Sequence, residues 1–322
     1  MARKRSLEET LQALRRVRDE PGSDASRSEL RGVLASDGSH AVARAAALVG
    51  ELELEALVPE LVEAFPRFFD DLPKADPGCS AKTAIVEALR RLGRDEAELY
   101  RRAARHVQME PVFGGRVDTA VDLRGAAALA LAETGGPDVL GLLAELLADP
   151  EPPVRISAAR AVAGLGSPTG VPLLRLKALV SDPEPRVVSE CLLALLRLDA
   201  RGERAFVEGF LEKRDELAEA AAEALGESRL PEAFATLRAW LPSAARRGLS
   251  RTALLAVASL RRDEAVDWLL SLVRDEPAAL AREALQALGS LGAEALGERA
   301  REAAKARPEL QAALEKAFAR TR

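Results

Sequence analysis

Aromatic side chains are scarce in this 322-residue sequence, where phenylalanine, tyrosine and tryptophan together make up 3% of the residues. Pockets that hold large organic ligands are usually lined by aromatic and other apolar side chains. We therefore expect no large ligand pocket and no cofactor. Histidine occurs only twice, and no HExxH or similar metal-ligand spacing accompanies His40 or His106. The sequence predicts neither a metal site nor a histidine-based catalytic centre.

Cysteine is equally rare. Cys79 and Cys191 form no C-x-x-C motif, so neither a zinc site nor a disulfide framework is indicated, and two thiols in a reducing compartment are expected. The opening residues, MARKRSLEETLQALRRVRDE, carry charges throughout and lack the apolar run of a signal peptide. No segment approaches the roughly 20 apolar residues that span a bilayer. We expect a soluble cytoplasmic protein without a membrane partner.

The charge balance and the nucleophiles give no support to two further classes. The net charge of −5 gives no support to general nucleic-acid binding. No serine or cysteine has a plausible catalytic base near it in the sequence. The chain is therefore expected to be non-enzymatic, and nucleic acid is not an expected partner.

An internal repeat is the strongest positive signal. The segment DPEPPVRISAARAVAGLG, residues 149–166, returns without a gap as DPEPRVVSECLLALLRLD, residues 182–199, a shift of 33 residues. Self-similarity at a period near 30 is typical of helical repeat arrays. Alanine and leucine supply most of the apolar surface, and small side chains let stacked helices approach closely. The sequence therefore predicts an all-α array of helical pairs.

Each predicted pair consists of an A helix and a B helix. The B helices end on a recurring Leu-Gly or similar pair, where glycine is expected to act as a left-handed C-cap. These closing pairs are Val49-Gly50, Leu92-Gly93, Thr134-Gly135, Leu165-Gly166, Leu198-Asp199, Leu225-Gly226, Leu260-Arg261 and Leu291-Gly292. The A helices between them are predicted at about 51–64, 95–108, 137–148, 168–180, 201–212, 231–241, 263–273 and 293–304. A capping helix and linker occupy 1–25, the repeats occupy 26–304, and a second capping helix occupies 305–322.

Two adjacent units are longer than the others. Both carry their additional residues between the A and B helices, as FPRFFDDLPKADPGCS at 65–80 and HVQMEPVFGGRVDTA at 106–120. We call these segments the first and second insertion, and the sequence analysis treats both as loops. Loops at equivalent places in neighbouring repeats project from the same edge of a solenoid. We therefore expect the two insertions to lie side by side.

The pattern DPEPPVRISAARAVAGLG resembles a HEAT repeat, and its short period resembles the subgroup first described in phycobilin lyases. The resemblance extends over nearly the whole of residues 26–304. It implies a right-handed α-solenoid of about eight HEAT-like helical hairpins with capping helices. In such a solenoid the A helices form the convex wall, and the B helices line the concave face.

The resemblance also implies an aspartate in the A–B loop and a basic residue early in helix B. This sequence has such pairs at Asp37/Arg44, Asp76/Lys82, Asp118/Arg124, Asp149/Arg155 and Asp275/Arg282. One interpretation is a cationic stripe that meets an acidic partner. The other is a structural ladder that holds successive units in register, and we favour it because the paired aspartate cancels the charge that a ligand would need.

The insertions contain an unusual group of phenylalanines and acidic residues. As a hypothesis, the partner-binding residues are Phe65, Phe68, Phe69, Asp70, Asp71 and Phe113. Aromatic anchors dominate the energetics of protein interfaces, which favours docking. The alternative is that the phenylalanines fold back and fill the gap that the longer segments open. The sequence leaves both interpretations open.

Together these patterns predict a protein-interaction scaffold or adaptor that binds a protein partner on its concave face or on the edge formed by the insertions. Two alternatives remain. A HEAT-like DNA glycosylase would use a basic concave face, against which stand the negative net charge and the expected place of Trp240 and Trp268 on A helices. A phycobilin-lyase-like protein would handle a chromophore, and Tyr100 with eight phenylalanines is a poor chromophore cradle.

Overall fold

The computed structural model describes residues 7–70, 73–292 and 294–319. The chain divides into two compact units, residues 1–166 and 167–322. Within the described ranges the secondary structure is helical apart from one two-stranded sheet. The prediction of an all-α solenoid built from helical pairs is confirmed.

Unit one, residues 1–166, contains two layers of helices. Its helices are α1 (Leu7–Val17), α2 (Asp24–Leu34), α3 (Ser39–Glu51), α4 (Val58–Ala64), α5 (Ser80–Arg91), α6 (Ala97–Ala104), α7 (Val121–Thr134), α8 (Val139–Leu147) and α9 (Pro152–Gly164), and its strands are β1 (Met109–Val112) and β2 (Gly115–Asp118). The B helices α3, α5, α7 and α9 pack in one row, each against the next. The A helices α2, α4, α6 and α8 each pack on the B helix that follows.

Unit two, residues 167–322, repeats this arrangement. Its helices are α10 (Val171–Val180), α11 (Pro185–Leu198), α12 (Ala200–Glu208), α13 (Asp215–Ser228), α14 (Pro231–Arg246), α15 (Ser250–Ser259), α16 (Asp263–Asp275), α17 (Ala278–Gly289), α18 (Glu294–Ala303) and α19 (Gln311–Phe318). The B helices α11, α13, α15, α17 and α19 form one row. The A helices α10, α12, α14, α16 and α18 each contact the B helix that follows.

The composition explains why the two layers differ. A B helix has neighbours on several sides, so α7 buries residues around most of its circumference, including Leu123, Ala127, Ala130 and Leu131. An A helix such as α6 buries a narrower stripe and presents charged residues outward. The abundant small side chains therefore fill the inner row, where helices approach most closely.

The closing glycines of the B helices perform two different functions. The predicted left-handed cap is confirmed at Gly93, Gly166 and Gly292, with φ of 62°, 63° and 67°. Gly135 has a φ of 72° but a ψ of −157°, which is open to glycine but is not the left-handed helical conformation. The predicted cap is wrong for Gly50 and Gly226, because α3 continues to Glu51 and α13 continues to Ser228. The left-handed residues after these two helices are instead Glu53 (53°) and Arg229 (54°).

Gly50 and Gly226 are required by close helix packing. A Cβ atom built on Gly226 would lie 2.5 Å from the carbonyl oxygen of Ala256 on the neighbouring helix α15. A Cβ atom on Gly50 would lie 2.9 Å from the Cα atom of Ala88 on α5. Both distances are shorter than contacts that a side chain can make, so glycine sets the separation of the helices here.

We expect Gly226→Ala to lower the free energy of unfolding by about 1–3 kcal/mol, because the added methyl group forces α13 away from α15. The midpoint of urea denaturation measures this change. Gly141→Ala is the matched control, since Gly141 also lies in a helix but has nothing within 4 Å of its built Cβ atom. That control should leave stability unchanged or raise it by up to about 1 kcal/mol. Equal midpoints for the two variants would contradict this role for Gly226.

Candidate functional site

The first insertion begins with a 3-10 helix, Phe65–Phe69, that continues directly from α4. Phe65 and Phe68 are each only 2% exposed. The docking hypothesis is therefore wrong for these two residues, because their rings pack inside unit one and no partner can reach them. They fill the space beside α4 and α5, as the gap-filling interpretation required. A second 3-10 turn, Pro77–Cys79, leads into α5.

The second insertion is a β-hairpin, not the loop that the sequence analysis expected. Strands β1 and β2 pair antiparallel, with Met109 opposite Asp118 and Val112 opposite Gly115. Phe113 and Gly114 form the two-residue turn, and Gly114 has a φ of 88°. The Gly114-Gly115 pair between Val112 and Val117 is a hairpin signal that could have been recognised in the sequence.

A buried lysine joins the two insertions. The Nζ atom of Lys82 donates to the carbonyl oxygen of Phe68 at 2.9 Å and to Oε1 of Gln108 at 3.0 Å, and it lies 3.3 Å from Oδ2 of Asp76. The ammonium group thus has one acceptor for each of its three protons. Lys82 and Asp76 are 0% exposed, and Gln108 is 3% exposed. We call Asp76, Lys82, Gln108, Glu110 and Thr119 the Lys82 cluster.

Glu110 completes this cluster from the hairpin side. Its Oε1 atom accepts hydrogen bonds from the backbone N–H of Gly78, the side-chain amide of Gln108 and the hydroxyl of Thr119, each at 2.7 Å. The Thr119 and Gln108 hydrogen bonds lower the pKa of Glu110 below its usual value, so its charged form is stabilised. The same Gln108 amide donates to the carbonyl oxygen of Asp76 at 2.8 Å. These contacts place the insertions side by side, in agreement with the prediction.

Phe69 packs among aromatic rings and cationic side chains next to the Lys82 cluster. Its ring centroid is 5.0 Å from that of Phe65 and 4.8 Å from that of His106, both with edge-on geometry. The guanidinium of Arg102 lies 3.8 Å from the Phe69 centroid. Burial lowers the pKa of His106, so its imidazole is neutral near pH 7. Phe69 is half-buried and occupied by these contacts, which removes it as a free anchor.

The ionisable side chains in and beside the cluster are engaged in contacts within the fold. Burial raises the pKa of the Cys79 thiol to about 11, in spite of Lys82 nearby, so the thiol is protonated and unreactive at neutral pH. The three protons of the Lys82 ammonium are used in contacts with Phe68, Gln108 and Asp76. The contacts of the Lys82 cluster hold the two insertions in fixed positions relative to each other.

Arg124 is the best-formed step of the predicted ladder. It is 2% exposed, and its Nη1 atom lies 2.7 Å from Oδ2 of Asp118, the pairing that the sequence predicted. Its Nε and Nη2 atoms also donate to the carboxylate of Asp149 in the next repeat, at 2.8 and 3.1 Å. Burial alone would raise the pKa of Asp118, but hydrogen bonds from Ala120, Gln108 and Arg124 lower it. Arg124 therefore fastens one repeat to the next.

The other predicted ladder steps differ from one another. Lys82 pairs with Asp76 as predicted. Arg155 donates through Nη1 to the carbonyl oxygens of Asp149 and Pro150, at 2.8 and 2.9 Å. Arg155 thus reaches Asp149 through its backbone carbonyl, and the Asp149 carboxylate binds Arg124 of the preceding repeat.

Two predicted ladder pairs are wrong. Asp37, Arg44, Asp275 and Arg282 are all exposed, and among the residues that the structure describes no ion pair joins Asp37 to Arg44 or Asp275 to Arg282. In both pairs the basic residue follows the aspartate by seven positions instead of six. One additional residue turns a side chain by about 100° around a helix, which carries it out of the packed face.

The sequence analysis missed a second set of contacts between repeats. Arg247, just after helix α14, donates to the carbonyl oxygens of Leu211 and Lys213 at 2.8 and 2.7 Å. Arg307, just after α18, donates to those of Val273 and Glu276 at 2.8 and 2.7 Å. Each arginine satisfies carbonyl groups at the end of the preceding A helix, which have no partner inside that helix. The sequence feature that could have revealed these contacts is an arginine that directly follows the A helix in two of the repeats.

The hairpin presents an apolar surface. Phe113 at its turn is fully exposed, and the exposed large apolar side chains of this segment are Val107, Met109, Val112, Phe113 and Val117. In the described part of unit one, the sole other exposed large apolar side chain is Leu7. Asp70 of the first insertion is also exposed, and Asp71 lies outside the described residues. Of the predicted partner-binding set, the structure leaves Phe113 and Asp70 accessible.

None of the helices described by the structure has the length and apolar character needed to cross a membrane.

Comparisons with known proteins address the family. The family model for HEAT repeats matches residues 116–195 and 141–226. No curated protein matches the chain. Among solved structures, human deoxyhypusine hydroxylase in complex with glycerol is 19% identical, with 84% of this chain and 99% of that chain covered and a TM-score of 0.34.

Two further solved structures are similar to a comparable degree. The CpcE–CpcF complex of phycocyanin lyase from Nostoc sp. PCC7120 is 19% identical, with coverage of 90% and 97% and a TM-score of 0.34. An engineered protein is 17% identical, with coverage of 96% and 90% and a TM-score of 0.34. Similarities at this level carry no argument about activity. Residues 116–226 thus match HEAT repeats, and the helical pairs before and after this stretch have the same arrangement.

Proposed function

We propose that the protein is a non-enzymatic scaffold that docks a partner protein through the β1–β2 hairpin, with Phe113 as the anchor. The observation that carries this proposal is the full exposure of Phe113 at the tip of a hairpin whose base is held by the buried Lys82 cluster. The occupant that fits this anchor is a protein with an apolar pocket wide enough for a phenyl ring.

Because aromatic residues are scarce in this chain, the exposed ring of Phe113 is an unusual feature of its surface. The chain has eight phenylalanines, and an exposed one beside four exposed aliphatic side chains is an association liability unless a partner covers it. Buried aromatic anchors contribute most of the energy at protein interfaces. An exposed aromatic at a hairpin tip is therefore the kind of residue that a scaffold offers to a partner.

The fixed base supports the same proposal. Ordering a flexible loop on binding costs free energy, and a segment already held in its bound shape avoids that cost. Glu110 and Gln108 tie the start of β1 to the first insertion, and the Asp118 carboxylate at the end of β2 binds Arg124. The partner thus meets a hairpin whose two ends are already positioned, and the turn between them projects.

The two alternative functions have less support. Trp240 is 4% exposed, and Trp268 packs edge-on against Phe234 at a centroid distance of 5.9 Å. Trp240 is therefore a core residue, and Trp268 contributes to packing between the A helices α14 and α16, so neither is an open platform for stacking on a nucleic-acid base. Tyr100 is fully buried and donates to the carbonyl oxygen of Arg94 at 2.8 Å, so it lines no chromophore cradle.

The test replaces Phe113 with serine and measures partner recovery and stability together. Tagged protein is purified from its own cells, and bound proteins are quantified by mass spectrometry. We expect Phe113→Ser to abolish recovery of the specific partner, while the urea midpoint stays within about 0.5 kcal/mol of the wild type because the ring packs on nothing.

Leu179→Ser is the matched control, since Leu179 is an exposed apolar residue of helix α10 in unit two. It should leave recovery of the partner unchanged. Full recovery with Phe113→Ser, or equal loss with both variants, would reject the hairpin as the docking site.

A further inference from the structure

Unit two contains a polar cavity of about 530 Å³ at the edge where its B helices end. Three arginines from three successive repeats line it, Arg197 at the end of α11, Arg229 after α13 and Arg261 after α15. Successive members are 32 residues apart in the sequence. We call this feature the arginine cavity, and it is unrelated to the ladder or to the hairpin.

Two of these arginines occupy positions that favour glycine. Arg229 and Arg261 both have a φ of 54°, whereas the corresponding residue after α17 is Gly292, with a φ of 67°. A left-handed conformation is unfavourable for any residue with a Cβ atom. Helix capping would be served better by glycine, so it does not explain the guanidinium groups at these positions.

The positive charges of the cavity are largely uncompensated. Arg229 and Arg261 form no ion pair with any residue that the structure describes, and both are exposed. Arg197 has a Glu190 carboxylate oxygen at 3.6 Å, but its side chain is 52% exposed. The one carboxylate in the lining is that of Glu227. Three guanidinium groups thus face one cavity with a single lining carboxylate.

The distance between successive repeats determines how far apart the acidic groups of a ligand must lie. Packed helices lie about 8–10 Å apart, so arginines in successive repeats are separated by about that distance along the row. A peptide in the extended polyproline II conformation rises about 3.1 Å per residue and completes a turn every three residues, so every third side chain lies on one face, about 9 Å from the next. A chain with a carboxylate at every third residue therefore matches one acidic group to each arginine.

The remaining lining groups favour a peptide over a phosphate backbone. The hydroxyls of Ser259 and Ser290 donate to the carbonyl oxygens of Leu255 and Ala287, at 3.0 and 2.6 Å. Their oxygens remain able to accept hydrogen bonds, and so does the carboxylate of Glu227. Backbone N–H groups of a peptide can donate to these acceptors, whereas a sugar-phosphate backbone carries no N–H donors for them.

We propose that the arginine cavity binds an extended acidic segment of a partner protein that carries a carboxylate at every third residue. Each carboxylate meets one guanidinium, and the peptide N–H groups donate to the serine hydroxyls and Glu227. The site lies wholly within unit two and does not depend on Phe113, so it stands or falls separately from the proposed docking at the hairpin.

The test measures binding of fluorescein-labelled peptides to the full chain by fluorescence anisotropy at low salt. One peptide has glutamates at positions one, four and seven, separated by glycine and serine. A second has the same composition with its three glutamates contiguous, and a third has glutamines in their place. We expect the spaced peptide to bind about tenfold more tightly than either control, a difference that free-energy conversion equates to about 1.4 kcal/mol. Affinity should fall as salt rises, because exposed charges are screened.

Arg229→Gly combined with Arg261→Gly is the informative variant, because glycine removes both cations and suits both left-handed positions. We expect affinity for the spaced peptide to fall at least about tenfold while the urea midpoint rises. Glu53→Gly is the matched control, since Glu53 is also left-handed, with a φ of 53°, but lies in unit one. It should raise the midpoint and leave the affinity unchanged. Phe113→Ser should bind the spaced peptide as the wild type does.

Equal affinity for the three peptides, or unchanged affinity in the double glycine variant, would overturn the proposal. A single-stranded DNA oligonucleotide is tested in parallel. Tighter binding to DNA that is lost in the double glycine variant would also overturn it, and would identify the cavity as a nucleic-acid site.

Discussion

Arg124→Met is expected to lower the free energy of unfolding by about 3–5 kcal/mol, because it leaves two buried carboxylates without their cation. The Arg124 guanidinium lies 2.7 Å from Asp118 in its own repeat and 2.8 Å from Asp149 in the next one. It also donates to the carbonyl oxygen of His106 at 2.9 Å. One substitution therefore weakens both the base of the hairpin and the junction between two repeats.

The shift in the urea denaturation midpoint measures this effect, and Arg44→Met is the matched control. Arg44 occupies the comparable place in an earlier B helix but is exposed. We expect its replacement to change stability by less than about 0.5 kcal/mol. Similar midpoints for the two variants would show that Arg124 is not a junction between repeats.

Lys82→Met is expected to have an effect of the same size, about 3–5 kcal/mol, for a related reason. It removes a fully buried ammonium that has three acceptors, in Asp76, Phe68 and Gln108. The methionine side chain preserves most of the volume but leaves the Asp76 carboxylate without its cation and the Phe68 carbonyl oxygen without the ammonium donor. We therefore expect the two insertions to separate locally before the rest of unit one unfolds.

A double variant distinguishes loss of charge pairing from loss of packing. Asp76→Asn combined with Lys82→Met removes both buried charges, while the amide oxygen keeps one of the two backbone hydrogen bonds that Asp76 accepts, from Ala81 on Oδ1 and from Lys82 on Oδ2. We expect it to be more stable than Lys82→Met alone, since a buried unpaired carboxylate is the main cost. If the double variant is no more stable, packing and not charge explains the effect of Lys82.

The repeat architecture could be predicted because each helical pair is specified by a short, contiguous sequence pattern. The return of DPEP, with apolar residues at matching places after it, reports a helical pair in each copy. Left-handed caps at Gly93 and Gly166 follow from the preference of glycine for positive φ. Gly50 and Gly226 were misassigned because close approach of a neighbouring helix also requires glycine, and the sequence does not show the neighbour.

The candidate site was predictable only in part. Asp76/Lys82 and Asp118/Arg124 could be found because both partners lie six residues apart in one repeat. Gln108 was missed because it reaches Lys82 across two repeats, a contact with no local pattern.

The phenylalanines show the same limit. Phe68 and Phe113 have the same side chain, and only the surrounding fold makes one a core residue and the other a surface residue. Composition therefore pointed to the correct segments but did not assign roles within them.

These contacts connect the fold to the proposed function. The ladder and the Lys82 cluster stabilise the positions of two insertions, and the hairpin that emerges from them exposes apolar side chains in unit one. A stable base with an accessible anchor suits a scaffold that recruits a partner without changing shape. The central claim is therefore that the two insertions form one fixed platform.

Hydrogen–deuterium exchange of the wild type and of Lys82→Met tests that claim most directly. The backbone N–H of Gly78 in the first insertion donates to Glu110, and that of Lys82 in the adjoining helix donates to Asp76. The backbone N–H of Gln108 in the second insertion donates to Asp118. We predict slow exchange in peptides from both insertions of the wild type, and loss of protection in both together in Lys82→Met. Fast exchange of the hairpin in the wild type, or a hairpin that stays protected in Lys82→Met, would contradict the claim.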